Sequence, residues 1–419
     1  MNQFLKGISL SLISFAALWA MPSLNGYARH YSGWLINDGS QAVLQNTLNL
    51  ELSDGNGKFA WKANPYIYQY NSSDSLKIGI RQLYLDYYRE NFDLRIGHQQ
   101  IIWGKADGVF ITDIISPKNL EEFLLRDFEE IRSGVTSAKV SFYRGSGQLD
   151  LVWVPQFTAT KFPEDGSIWA PTKPFPVEPI IDYDQENIAP SLENSEIFGR
   201  YALMSSTIDF ELIGGYAWDD NPVYALKSLQ LTQDGPELTL QPRHHRLAIG
   251  GFAFNKPISG WVLRGESALY MGKRLQLAMS PDQLQSLVQS AQPLPSISLE
   301  KNYIHSLIAF DLNLLGIDMS TQIIQEAILD YDESLMKEEY EYMATLMLRE
   351  TFFRETLSLE LFTYIGINDG DALLRPKIGY DFGNGLGFTL GANIFTGDNG
   401  MFGQYDYNDM LYAKIRADF

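Results

Sequence analysis

The chain has 419 residues, 45% hydrophobic and 20% charged, with a formal net charge of −19. It contains 8 Trp, 23 Tyr, 24 Phe and 34 Gly, but no Cys and only five His. This composition excludes disulfide-stapled domains, thiol chemistry, a lipoprotein anchor and Cys-based metal centres, and it leaves little for a His-based zinc site.

The first segment reads as a secretory leader. Lys6 supplies a positive start, Ile8–Met21 is an apolar stretch, Pro22 breaks it, and Gly26-Tyr27-Ala28 is a small-x-small cleavage site. Residues 1–28 are therefore expected to be a signal peptide cleaved near Ala28, with a mature chain 29–419. No later apolar run is long enough for a transmembrane helix.

From residue 42 onward the sequence alternates with period two. Leu48, Leu50 and Leu52 stand against Thr47, Asn49 and Glu51, and Phe92, Leu94 and Ile96 against Asp93, Arg95 and Gly97. The same pattern closes the chain at Leu386, Phe388, Leu390, Ala392 and Ile394. Alternation sustained over so many segments predicts an all-β fold: a transmembrane antiparallel up-and-down β-barrel, apolar outside and polar inside.

The connections alternate as well. Tight Gly- and Asn-rich turns, such as Asp54–Lys58, Gly145–Gly147, Leu315-Gly316 and Gly383–Gly385, separate long segments at 104–134, 157–196, 219–243, 271–302, 329–340 and 397–409. Short turns on the periplasmic side and long loops outside are the outer-membrane arrangement. Counting segments from 30–37 through 92–103 to 410–419 gives 18 strands. The first is the weakest, so 16–18 is the expected range. The chain ends on Phe419, with Leu411, Ala413, Ile415 and Ala417 on the same face, which resembles the signal by which outer-membrane barrels are recognised by their assembly machinery.

Acidic residues concentrate in loops 104–134, 157–196, 330–341 and 397–409. They predict a hydrophilic outer face, with bridging by divalent cations to lipopolysaccharide as the sharper reading; no calcium-loop pattern accompanies them. Alternation turns Arg264, Glu266, Arg349, Arg375, Lys377, Lys414 and Arg416 inward, because a Lys or Arg facing lipid costs roughly 2–4 kcal/mol at the midplane. Two readings of these charges stand: a salt-bridge ladder that stiffens the wall, and a charge-selective constriction. Arg375, Lys377, Lys414 and Arg416 should form one basic patch and give a modest anion preference.

One stretch is more specific. Arg95, Gly97, Gln99, Trp103 and Gly104, followed by Asp113 and Pro117, resemble the R-x-G-x-Q-x-x-x-W-G and (D/N)-x-x-x-P pattern of the DUF1302-like family of proteobacterial outer-membrane proteins and, more distantly, alginate-export-type barrels. The resemblance implies a porin-like architecture, and for some members an association with an inner-membrane exporter of lipids or other hydrophobic compounds. Read from the residues alone, Arg95, Gln99 and Trp103 share the inward face and Gly104 lets the backbone turn. The loop 105–134, with Asp107 near its start and Asn119 as a helix cap, is expected to fold inward and narrow the pore.

Outer-membrane enzymes need a Ser/His or Asp/His constellation, and no such motif accompanies His98 or His305. The expected function is thus a porin-like channel for small solutes, or alternatively the outer-membrane barrel of an export or lipid-handling system. Expected partners are outer-membrane lipids, lipopolysaccharide, the assembly machinery and, in the second case, an inner-membrane exporter. No catalytic residue, cofactor, metal or nucleic acid is expected.

Overall fold

The structure, a computed structural model, describes residues 22–70, 76–173, 175–183, 188–233, 235–289 and 294–419. The strands in chain order begin with β1 (Ser23–Leu35), β2 (Gln41–Gly55), β3 (Phe59–Tyr70), β4 (Lys77–Tyr88), β5 (Phe92–Gln99), β6 (Val135–Arg144), β7 (Gly147–Val154), β8 (Ile180–Ile181), β9 (Glu196–Leu203) and β10 (Asp209–Trp218). They continue as β11 (Val223–Thr232), β12 (Gly235–Arg243), β13 (Arg246–Ile258), β14 (Trp261–Gln276), β15 (Ser298–Leu314), β16 (Ile317–Leu329), β17 (Tyr340–Phe352), β18 (Leu357–Gly366), β19 (Asp371–Asp381), β20 (Leu386–Thr396) and β21 (Met410–Asp418). Eighteen of them form one sheet, and β8, β11 and β12 form a separate three-stranded sheet. The large sheet closes because β1 pairs antiparallel with both β2 and β21. Closure leaves no sheet edge at the seam, which a strand in hydrocarbon requires.

Alternation explains which side faces out. Ile96, Leu212, Ile323 and Ile415 are 53%, 51%, 54% and 49% exposed. In water such a belt would be a large apolar patch; against lipid it is the expected outer surface of a transmembrane barrel. Turns on the periplasmic side are short. Leu315-Gly316 joins β15 to β16 with both residues at positive φ, 56° and 94°, as a two-residue hairpin turn matched to strand twist demands.

The first strand starts upstream of the expected cleavage point. Ser23–Ala28 pair with Leu48–Ser53, and Gly26 exchanges backbone hydrogen bonds of 2.9 and 3.0 Å with Phe419. Phe419 thus completes the seam against a residue that the sequence reading assigned to the leader. Lys6 and Ile8–Met21 lie outside the described residues.

Three other expectations change. Segment 219–243, read as loop, holds the β11–β12 hairpin. A bulge between Leu226 and Ser228 breaks its alternation, and its apolar face packs as Leu238 and Leu240 on Leu284 and Ile297. Leu284 belongs to α1 (Pro281–Gln289). No helix follows Asn119: the chain makes turns, with Asn119 Oδ1 accepting from the Glu121 N–H at 3.2 Å, and the one helical turn comes later, α2 (Phe128–Ile131). The lumen is also not polar throughout. Ile101, Trp103, Val109, Ile111 and Leu125, all from the inward-folded segment, form a buried cluster with Tyr31, Leu247, Phe362, Tyr364 and Phe395 of the wall.

Candidate pore and constriction

β5 leaves the wall after Gln99, whose side chain is fully buried and donates to the Ser137 carbonyl at 3.2 Å. The chain then crosses the lumen. Ser116 fastens the base of the segment, since its Oγ accepts from Ile101 N–H at 3.0 Å and donates to Ile101 O at 3.1 Å. Trp103 is 2% exposed, with the Arg200 guanidinium 5.5 Å above its ring. Gly104 serves close approach, where the sequence reading expected a sharp turn: a Cβ there would lie 3.1 Å from Asp113 Cβ, and its φ is not positive.

On the β14–β19 side the segment is stitched to the wall through its backbone. Glu266 accepts from Lys105 N–H, and from Thr112 N–H and Oγ1 at 3.2 and 2.8 Å. Gln322 bonds both main-chain groups of Asp107, at 3.1 and 2.7 Å. Tyr270 donates to Ile111 O at 2.8 Å and Tyr364 to Gly108 O at 3.1 Å. Gly108 has φ +75°, and a Cβ would stand 2.4 Å from Tyr364 Oη, so only glycine fits. Arg264 pairs with Asp107 and Asp311, both at 2.6 Å. Arg375 donates to Leu124 O and Leu125 O at 2.9 and 3.1 Å.

On the β1–β4 side the attachment is ionic. Asp127 meets Arg29 at 3.0 Å and Lys414 at 2.8 Å, and Glu130 meets Arg29 at 2.9 Å and Arg81 at 2.6 Å. Burial works against both carboxylates, but Lys414 and Arg29 hold Asp127 well below the ordinary range, and Arg29 and Arg81 hold Glu130 below it. Burial raises Glu122, partly offset by Arg126. Arg81 reaches Glu130 because of a bulge. The β3–β4 register shifts between Asn64 and Pro65, so Ile80 and Leu83 both face out (48% and 49% exposed) while Arg81 and Gln82 both face the lumen.

The remaining expected pore residues face inward, and all but Arg349 have a hydrogen-bonded or ionic partner. Arg95 makes two hydrogen bonds to Asp86, at 2.7 and 2.9 Å, and lies 3.8 Å over the Tyr84 ring. Arg349 stands opposite Asp318 and Glu360 in the ladders. The four cations of the expected basic patch do share one wall, yet Lys377 pairs with Glu360 at 2.8 Å, Arg416 with Asp418 at 2.8 Å, Lys414 with Asp127, and Arg375 with loop carbonyls. All four are engaged, three by carboxylates and Arg375 by uncharged carbonyls, so the inward-folded segment and neighbouring acids take up their donors. Arg29, Arg81, Gln100, Asp127, Glu129 and Glu130 were not singled out from the sequence. Loop carboxylates carry no periodicity that would mark a partner, and only the bulge turns Arg81 toward them.

Cavities remain on both sides of the segment. Toward β14–β19, a cavity of about 520 Å³ on the loop side and one of about 690 Å³ on the turn side have no lining residue in common. Toward β1–β5, cavities of about 210 and 630 Å³ share Arg81, Gln100 and Glu129. Gln100 Nε2 donates to the Glu129 and Arg132 carbonyls at 3.0 and 2.5 Å, which fixes the narrowing between them.

No family model matches the chain, and no curated protein matches it. Solved structures do. Pseudomonas aeruginosa OccK2 (OpdF) in complex with glucuronate matches with TM-score 0.54 at 10% identity, over 95% of this chain and 97% of that one. P. aeruginosa OccD3 (OpdP) matches with TM-score 0.53 at 11% identity, over 95% and 91%, and Acinetobacter baumannii OccAB3 with 0.52 at 9%, over 94% and 98%. At these identities the likeness is one of fold: the chain has the barrel architecture of these porin structures.

Proposed function

We propose that the chain is an outer-membrane channel for small hydrophilic solutes, narrowed by its own segment 100–134. The observation that carries this reading is the pair of polar cavities meeting at Arg81, Gln100 and Glu129. Amide, guanidinium and carboxylate groups let a solute trade its water for protein hydrogen bonds as it passes. Glu129 is exposed, and among the described residues its carboxylate takes part in no hydrogen bond or ion pair. It therefore leaves a negative charge at the narrowing, whereas Arg81 is paired with Glu130. The glucuronate held by OccK2 is a solute of the size and polarity this reading has in view.

The test is conductance in planar bilayers. The wild-type protein conducts, and Glu129→Lys moves the reversal potential in a salt gradient toward anions, with a permeability ratio changed by about twofold or more. A barrel that inserts yet shows no conductance would sink the reading.

A further inference from the structure

The chamber of about 210 Å³ holds two charges that the protein leaves unused. Lys161, in the loop after β7, is tied to the narrowing segment on both sides: its N–H donates to the Lys118 carbonyl, and its own carbonyl accepts from the Leu120 N–H, each at 2.8 Å. Asn119, which Lys161 faces in a parallel bridge, donates its N–H to Ile131 O at 2.6 Å. Ile131 ends α2, the turn that carries Glu129. Two backbone spacings, about 10 Å, thus separate the Lys161 backbone from α2, and Lys161 and Glu129 both line the chamber.

Every other lysine, arginine or carboxylate of that lining is taken. Arg81 meets Glu130 at 2.6 Å, Arg126 meets Glu121 at 2.8 Å and Arg132 meets Asp113 at 2.5 Å. Among the described residues, the Lys161 ammonium and the Glu129 carboxylate take part in no hydrogen bond or ion pair. Glu129 also lines the turn-side chamber and Lys161 does not, so the cation stands on the loop side of the narrowing and the anion at it. The wall adds a hydroxyl. Thr47 of β2 lines the same chamber at 5% exposure, and its Oγ1 has no partner among the described residues.

We propose that this chamber is a subsite for small zwitterions, molecules such as α-amino acids that carry a carboxylate and an ammonium on one compact body. The carboxylate faces Lys161 and the ammonium faces Glu129, with the Thr47 hydroxyl free to donate to the solute. An anion gains at Lys161 and is repelled at Glu129, and a cation meets the reverse. Only a solute with both charges gains at both ends. A volume of about 210 Å³ takes a body of that size with a few waters, each occupying about 30 Å³. The assignment rests on the channel reading above and names the class of solute which that path favours.

Four solutes of nearly equal size separate the charges: alanine, lactate, alaninamide and lactamide are the zwitterion, the anion, the cation and the uncharged member of one set. Each is loaded as a radiolabelled trace into proteoliposomes in a common salt at about pH 6, where alaninamide is cationic. Efflux is followed, and leakage from protein-free vesicles is subtracted. Far from saturation, efflux rises with affinity for the chamber, so alanine should leave at least about threefold faster than each of the other three. Lys161→Gln should abolish the lead of alanine over alaninamide, and Glu129→Gln its lead over lactate. Both side chains are exposed, and the wild-type comparison decides by itself should either variant fail to insert. Equal rates for all four, or leads that survive both substitutions, would overturn the subsite and leave the channel standing. An inserted barrel that passes none of the four would overturn both.

Discussion

Replacing Glu130 with Gln should loosen the segment that narrows the lumen. Its carboxylate accepts from Arg29 at 2.9 and 3.0 Å, from Arg81 at 2.6 Å and from Tyr27 at 3.2 Å. The Arg29 side chain is 3% exposed and the Arg81 side chain 12%, so neither can recover full hydration. Arg29 keeps Asp127 and Gln45, but Arg81 keeps only the Tyr27 hydroxyl among its bonds. Hydrogen bonds to charged groups contribute about 1.5–3 kcal/mol each, and breaking a buried pair costs about 3–5 kcal/mol. With Arg29 still paired, a net loss of about 3 kcal/mol is expected on this side, or roughly a hundredfold in the equilibrium between docked and released segment. The β14–β19 side keeps its bonds, so the segment should swing and the barrel stay closed. Single-channel recording is the assay: Glu130→Gln should show transitions to a larger conductance at least about tenfold more often than wild type, with unchanged heat-modifiable migration on gels. Unchanged gating would refute the assignment of Glu130 as the latch.

The same latch responds to acid. Asp127 and Glu130 are held below their ordinary values, so the docking they contribute is present above pH 4–5 and fades as pH falls through their lowered values; open-state noise should rise on acidification, and a flat profile would count against it. Leu315 sits at φ 56°, strained by about 1–2 kcal/mol for a side chain without local hydrogen bonding, so Leu315→Asn should stabilise the barrel by about 1 kcal/mol in urea unfolding from micelles, whereas destabilisation would contradict the turn geometry. N-terminal sequencing of the mature protein should find residues upstream of Ser23 or Ser23 itself retained, because removing Ser23–Ala28 strips β1 of its pairing with β2 and Gly26 of its bonds to Phe419; a mature chain beginning at Arg29 would show that the seam closes without them.

Strand identity was readable because lipid imposes a rule on every second residue. Leu48, Ile96 and Leu390 had to face out, and their neighbours in, whatever the lumen does. The inward course of 105–134 was expected on grounds, a turn at Gly104 and a helix capped by Asn119, that are not what the structure uses. What holds the segment was not legible. Gln322 and Glu266 bind its backbone, and any sequence presents the same backbone groups. Arg81 depends on a bulge that alternation cannot forecast. The partners of the basic residues were not legible for a related reason: alternation fixed the direction of Arg375, Lys377, Lys414 and Arg416 but could not supply their partners, two of which come from loop residues distant in the chain.

The most direct test of the account is a thiol at the narrowing. Glu129→Cys, alone in a cysteine-free chain, should be modified by a charged methanethiosulfonate from the aqueous phase, and single-channel conductance should then fall by about half or more, because Glu129 shares with Arg81 and Gln100 the place where the two chambers meet. Met347→Cys, in the cavity that shares no wall with its loop-side neighbour, should be modified with little change in conductance. A block at Met347→Cys with none at Glu129→Cys would put the solute path on the other side of the barrel and contradict the account.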